Sequence, residues 1–258
     1  MIRTEIVDGA ILVVTMDRPP ANAVDQAMSD GLDAAFSRLA ADAALRVAIV
    51  TGAGERFFSA GWDLKEVAAG NDDESRFGSG GYMGLTERFG LDKPVIAAVN
   101  GTAAGGGFEL ALACDLVVAV AGARFVLPEV RHGLVAEGGG AIRAPRRLPP
   151  MIAMELLLTG APLAAEDLHR HGFVNRVAAV DELLPAALAY ARAICRAAPT
   201  AVAATKELVR ETAHLSVPDA YRAMRGGGLP AYARMRASPN RTEGPRAFVE
   251  KREPCWKP

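Results

Sequence analysis

The chain has 258 residues, half of them apolar and 23% charged, with a formal net charge of -1. Such a composition supplies a large buried core, and the near balance of charge leaves out the basic excess that nucleic-acid binding needs. No run of 18 uncharged apolar residues occurs, and "MIRTEIVDGAILVVTMDRP" carries Glu5 and Asp8 where a signal peptide would be apolar, so neither a membrane nor export is expected.

In chain order, "TEIVDGAILVVTM" reads as two strands around a hairpin turn at Asp8-Gly9, and "VDQAMSDGLDAAFSRLAAD" as a helix capped by Asp25. "LRVAIVTGAG" and "KPVIAAVNG" are short apolar runs ending in glycine, and "DLVVAVAGARFVL" is a third such run. Helical segments lie between them, so the class is α/β. Asn71 to Gly84, "NDDESRFGSGGYMG", reads as a mobile polar loop of the kind that covers sites. From about Pro199 strand signals stop, and helices broken at Pro218, "GGGLP" and "SPN" are expected. No repeat of 20 to 50 residues stands out. Cys114, Cys195 and Cys255 are odd in number and in no CxxC or zinc-ligand pattern, which argues for a reducing cytoplasm and against a disulfide framework or metal site.

The stretch "NGTAAGGGFELALACD" places one carboxylate, Glu109, in an otherwise apolar helix. An unpartnered buried carboxylate costs several kcal/mol or takes up a proton, so its position asks for a reason. The preceding glycines fail the phosphate-binding patterns: no Lys-Ser/Thr follows them, Leu110 stands where GxGxxG needs its last glycine, and no GxSxG elbow exists. What remains is a helix start whose backbone N–H groups are free to hold an oxyanion, or a glycine turn that lets helix and sheet pack closely. A second acid, Glu129, follows Pro128 in "ARFVLPEVRHG". Two carboxylates in different surroundings can act as acid and base; surface or capping roles are the alternative. "RFFSAGWDLKEV" is either a turn that aims a small residue's amide at a ligand or an ordinary strand-to-helix loop.

Together "FSAGWDL", "VNGTAAGGGFELALACD" and "ARFVLPEVRHGL" resemble the successive site motifs of the crotonase, or enoyl-CoA hydratase/isomerase, superfamily. The likeness runs from "RPPANAV" through "LTGAPLAAEDLHRHGFVNRV" to "EGPRAFVEKREPCW". "FFSAGWDLK", "FGSGGYMGLTE" and "LDKPVIAAVNG" are most similar to the carnitinyl-CoA dehydratases within it. The resemblance implies a spiral of ββα units over residues 1–198, holding an acyl-CoA site, and a C-terminal helical oligomerisation module over 199–258. It also implies a homotrimer or a hexamer of two trimers, with Phe248 and Trp256 covered.

By motif position the resemblance gives the oxyanion-hole amides to Ala60 and Gly106, and the proton transfers to Glu109 and Glu129. Glu129 would remove the α-proton of a 3-hydroxyacyl-CoA while Glu109 assists departure of the β-hydroxyl. No metal or separate cofactor is implied, coenzyme A arriving as part of the substrate. Its adenine is expected near Trp62, Asp63, Leu64 and Lys65, and its phosphates near Arg18 and Lys65. One departure stands out: the dehydratases usually carry Pro-Asp where this chain has Ala136-Glu137, so Glu137 either lines the acyl pocket or belongs to the loop surface. Trp62 or Tyr82 can offer a ring face to a trimethylammonium group, or Trp62 can pack in the adenine pocket or core. Both glutamates being present favours hydration or dehydration over double-bond isomerisation, and over a non-catalytic binding protein on the same fold.

Overall fold

The computed structural model describes residues 1–70 and 77–257. Strands β1 (Ile2–Val7) and β2 (Ile11–Met16) form the expected antiparallel hairpin. Asp8 and Gly9 turn it in the left-handed region, at φ 52° and 68°. Asp25 caps α1 (Gln26–Ala41) by accepting the Met28 N–H at 2.9 Å, and the helix buries Met28, Leu32, Ala35, Phe36 and Leu39, one face at helical spacing.

Next, β3 (Val47–Gly52) and β4 (Phe57–Ser59) lead to α2 (Leu64–Ala68), and β5 (Val95–Val99) and β6 (Thr102–Ala104) to α3 (Gly106–Ala113). Then β7 (Leu116–Val120) and β8 (Arg124–Val126) precede α4 (Gly140–Arg147) and α5 (Pro150–Thr159). After β9 (Leu163–Ala164) and α6 (Ala165–Arg170), β10 (Arg176–Ala178) leads to α7 (Leu183–Arg196). From β3 to β8 the chain thus gives one strand to each of two sheets before α2, α3 and α4: a six-stranded sheet of order β1-β2-β3-β5-β7-β10 and a four-stranded one of order β4-β6-β8-β9. Beyond the hairpin the large sheet is parallel, and its central strands are apolar on both faces because both are covered. Asn100 ties successive turns of the spiral together, accepting the Gly52 N–H at 3.0 Å and donating to the Gly54 and Phe57 carbonyls at 2.7 and 3.1 Å.

Two expectations change. "DLVVAVAGARFVL" is not one strand but β7 and β8, which belong to different sheets and part at the Gly122 turn (φ 76°). Of the polar insertion, residues 71–76 lie outside the described residues, while Gly80 to Thr86 are buried rather than solvated. Asp33 on α1 holds this segment, accepting the Gly80 N–H at 2.8 Å and pairing with Arg88 at 2.6 Å, and Arg88 also donates to the Gly84 carbonyl at 2.9 Å.

From Pro199 onward the described elements are α8 (Pro199–Thr212), α9 (Val217–Arg225), α10 (Pro230–Ala237) and α11 (Asn240–Glu250). Pro218 and Pro230 lie in the first turns of α9 and α10, where a missing N–H costs nothing. Buried Glu207 on α8 accepts the Ala231 and Tyr232 N–H groups at 3.0 and 2.8 Å, satisfying free donors at the start of α10. Lys206 anchors α8 to the core through Asp115 at 2.7 Å. Among the described residues no helix is long and apolar enough to cross a membrane.

Candidate active site

Helix α3 is buried from Gly106 to Leu112 and apolar on every side, so Glu109, 4% exposed, has no face on which to reach water. Burial pushes its carboxyl up to about 7; the Gly140 N–H and Arg143 hold it down, while Glu129 and Glu137 push it further up. Its Oε1 accepts the Gly140 N–H at 2.9 Å. A Cβ built on Gly138 would fall 2.5 Å from its Oε2, so the chain closes over the carboxyl only because glycine stands there.

Glu129 opens a short 3₁₀ turn, Glu129–His132, directly after Pro128. Burial pushes its carboxyl up as well, opposed by its own backbone N–H and by His132. Its Oε2 is buried without a hydrogen-bond partner, and its Oε1 lies 3.0 Å from where a Cβ on Gly105 would be. Both glutamates line one cavity of about 250 Å³, together with Ala60, Trp62, Tyr82, Gly106 and Glu137. Two carboxyls held above the ordinary range at one cavity suit an acid and base pair.

The amides beside them require a correction. The Ala60 N–H, expected to face the ligand, donates instead to the Ala21 carbonyl at 3.0 Å. The Gly61 N–H donates to Ser59 Oγ at 3.1 Å, and the Asp63 N–H to the Val24 carbonyl at 2.8 Å. Between them the Trp62 N–H has no hydrogen-bond acceptor among the described residues, and Trp62 lines the cavity. The cause is Gly61, whose φ of 82° reverses the peptide direction after Ala60. A Cβ on Gly61 would stand 2.6 Å from the Gly106 nitrogen, so the turn lies directly against the first amide of α3. Gly106, at the first position of α3, has no carbonyl one turn back to bond. Trp62 and Gly106 thus each keep a backbone N–H with no acceptor among the described residues, whereas that of Ala60 is taken, so the free amide follows the glycine in "SAGW" rather than precedes it.

Among the other expected residues, Glu137 does line the cavity, at its exposed rim, and so does Leu64. Trp62 packs at 5.4 Å from Phe77 and 5.6 Å from Tyr82, ring centre to ring centre, and those two rings are 5.6 Å apart. Phe77 and Glu87 also line the cavity and had no sequence signal of their own. Asp63, Lys65 and Arg18 do not reach it. Asp63 caps α2 through the Lys65 N–H at 3.1 Å and pairs with Arg18 at 3.0 Å, which lowers its pKa. Arg18 is further held by Asp25 at 3.3 Å and by the Ala23 carbonyl at 2.9 Å, and Lys65 is exposed.

The family model described as enoyl-CoA hydratase/isomerase matches residues 7–258. A protein named carnitinyl-CoA dehydratase from Salmonella enteritidis PT4 (strain P125109) is 50% identical over 250 residues, covering 97% of this chain and 96% of that protein. Among solved structures, an enoyl-CoA hydratase from Mycobacterium tuberculosis H37Rv superimposes with a TM-score of 0.90 at 44% identity, covering 99% and 98% of the two chains. One titled carnitinyl-CoA hydratase from Mycobacterium avium gives 0.77 at 40% identity, with 99% and 98% covered. With the ββα spiral and the full-length match in agreement, the chain belongs to the enoyl-CoA hydratase/isomerase family and is an enzyme of it.

Proposed function

We propose that this enzyme interconverts a 3-hydroxyacyl-CoA and its 2-enoyl-CoA by removing or adding water. The observation that carries the reading is the meeting of Glu109 and Glu129 in one cavity beside the Trp62 and Gly106 amides. The thioester oxygen accepts both N–H groups, which stabilise the negative charge it gains; one such donor is commonly worth about 2.7 to 4 kcal/mol of barrier. Glu129, with an unpartnered Oε2, takes the α-proton, and the C–H electron pair moves into the enolate. Glu109, which carries a proton below about pH 7, gives it to the β-hydroxyl; the C–O bond breaks, the enolate collapses to the 2-enoyl thioester, and water leaves. Hydration reverses these steps. Coenzyme A serves only as the substrate's handle. With Arg18 held by two aspartates, we assign phosphate contact to exposed Lys65 beside the Leu64 rim.

We assign the acyl group as carnitinyl, interconverted with crotonobetainyl. The faces of Trp62 and Phe77, with Glu87 and Glu137 at the same cavity, form an aromatic and acidic lining suited to a trimethylammonium head. The name of the Salmonella relative agrees. Assays of purified protein on carnitinyl-CoA and 3-hydroxybutyryl-CoA test this, a higher kcat/KM for the first being expected. Equal or reversed preference would leave a general enoyl-CoA hydratase. Glu109→Gln and Glu129→Gln should each lower the rate by about 10²- to 10⁴-fold; a wild-type rate in either sinks the two-carboxylate mechanism. We further assign residues 1–198 to the catalytic core and 199–258 to assembly as a trimer or hexamer, in the cytoplasm, where three free cysteines persist.

A further inference from the structure

The turn that covers Glu109 is closed by a cation. Gly138, Gly139 and Gly140 run over the carboxyl and into α4: the Gly140 N–H donates to Oε1 at 2.9 Å, and Cβ atoms built on Gly138 and Gly140 would fall 2.5 Å from Oε2 and 3.1 Å from Oε1. Gly139, between them, meets Arg143 instead. A Cβ there would overlap Arg143 Nη1, and the Arg143 N–H donates to the Gly139 carbonyl at 2.7 Å. At the other end of the guanidinium, Nη2 donates to the carbonyl of Thr86, a residue only 1% exposed. Thr86 belongs to the segment that brings Tyr82 and Glu87 to the cavity, and its Oγ1 donates to the Tyr82 carbonyl at 2.8 Å. The Thr86 carbonyl is the one hydrogen-bond acceptor of this guanidinium among the described residues, so no paired carboxylate cancels its charge.

We propose that Arg143 is the positioning residue of Glu109: it pins the turn of residues 138–140 to the Thr86 carbonyl, which holds the carboxyl in one place, and it keeps an uncancelled positive charge at that turn. The inference rests on Glu109 being the acid of dehydration. Of the charged groups acting on Glu109, Glu129 on the 3₁₀ turn and Glu137 on the loop before α4 strengthen its hold on the proton, and Arg143 on α4 weakens it. Tyr82, from the Thr86 segment, is kept protonated by burial and the two glutamates, and Glu87 and His132 line the same cavity. A neutral side chain at position 143 therefore leaves Glu109 protonated to higher pH. Lysine keeps the charge, but its single ammonium does not span Gly139 and Thr86 as a planar fork does. Charge and clamp can thus be separated.

The test is the pH dependence of kcat/KM for dehydration, with kcat and KM measured separately, on whichever of carnitinyl-CoA and 3-hydroxybutyryl-CoA the wild type turns over faster. The variants are Arg143→Met, Arg143→Gln, Arg143→Lys and Glu109→Gln, each checked for its fold by circular dichroism; either neutral variant that folds serves. In the neutral variants the fall of kcat/KM with pH should move upward by roughly half to one pH unit. Their kcat should drop about 10- to 100-fold with KM little changed. Arg143→Lys should lose kcat alike and keep the fall where the wild type has it. A merely structural role lowers the rate without moving the fall. A fall that stays in place or moves down in the neutral variants, an upward move in Arg143→Lys, or a wild-type kcat in any Arg143 variant overturns the inference. If Glu109→Gln keeps the wild-type rate, the reading of Glu109 as the acid falls and takes this inference with it; if Glu109→Gln loses the rate while the neutral variants leave the fall in place, the inference alone falls.

Discussion

The buried carboxyl of Glu109 makes the stability of this enzyme depend on pH. Glu109 titrates near its ordinary 4.5 when unfolded and at about 7 when folded, so the folded chain binds its proton more tightly between those values. The stability due to that proton is complete below about pH 4.5 and is lost as pH rises through 7. Glu109→Gln keeps an oxygen for the Gly140 N–H and has no charge to bury. Its stability relative to wild type should therefore rise between pH 4.5 and pH 7.5 by on the order of 2 kcal/mol, read from urea unfolding at a series of pH values. A difference that stays flat with pH would show that Glu109 is not held above its ordinary range. The same proton supplies the acid of dehydration, so kcat/KM in that direction should fall as pH passes about 7.

At the level of elements, the strand-to-helix turns decide whether the site exists. Gly61→Ala puts a Cβ at a φ of 82° and 2.6 Å from the Gly106 nitrogen, so either the turn flips or α3 backs away. The variant should lose about 1 to 3 kcal/mol of stability and most of its activity, with the loss in kcat/KM larger than that of Gly9→Ala, whose Cβ meets nothing within 4 Å. Equal losses would mean that the Gly61 turn does not place the amides. The hairpin, the Asp25 cap and the glycine-ended strands were legible in sequence because each rests on neighbours a few residues apart. The split of "DLVVAVAGARFVL" between two sheets was not, since β7 and β8 are equally apolar and only their pairing to β5 and β6 tells them apart. Nor was the donor at Trp62. An amide's direction depends on the sign of the preceding φ, and "SAGW" permits either. Glu109 was conspicuous as a charge among apolar neighbours, and Tyr82 was in view as an aromatic of the site-covering loop, whereas Phe77 and Glu87 come to the cavity only through the packing of their segment on α1, which no local pattern announces.

For the whole molecule, the outer surface carries apolar side chains that the single chain leaves uncovered. Phe248 and Val249 on α11 are 86% and 78% exposed, and Met151 and Leu158 on α5 are 78% and 66% exposed. Trp256, expected to share that fate, is instead docked on its own chain: its Nε1 donates to the Arg196 carbonyl at 2.7 Å and its ring packs on Gly244. Truncating the C-terminus would therefore break internal bonds, including those between Asn240 and Lys257, and would not isolate assembly. Phe248→Ser with Val249→Ser removes only exposed groups. Fully burying a phenylalanine or valine is worth about 1.5 to 3 kcal/mol, and a closed trimer repeats that gain at each of its interfaces. If α11 faces a neighbouring copy, the double variant should run as a smaller species in light scattering at micromolar concentration, while its circular dichroism and its monomer fold persist. A wild-type chain that is already monomeric and fully active would remove the assembly assignment; a variant that assembles as wild type does would move the interface away from α11, toward the Met151 and Leu158 face of α5.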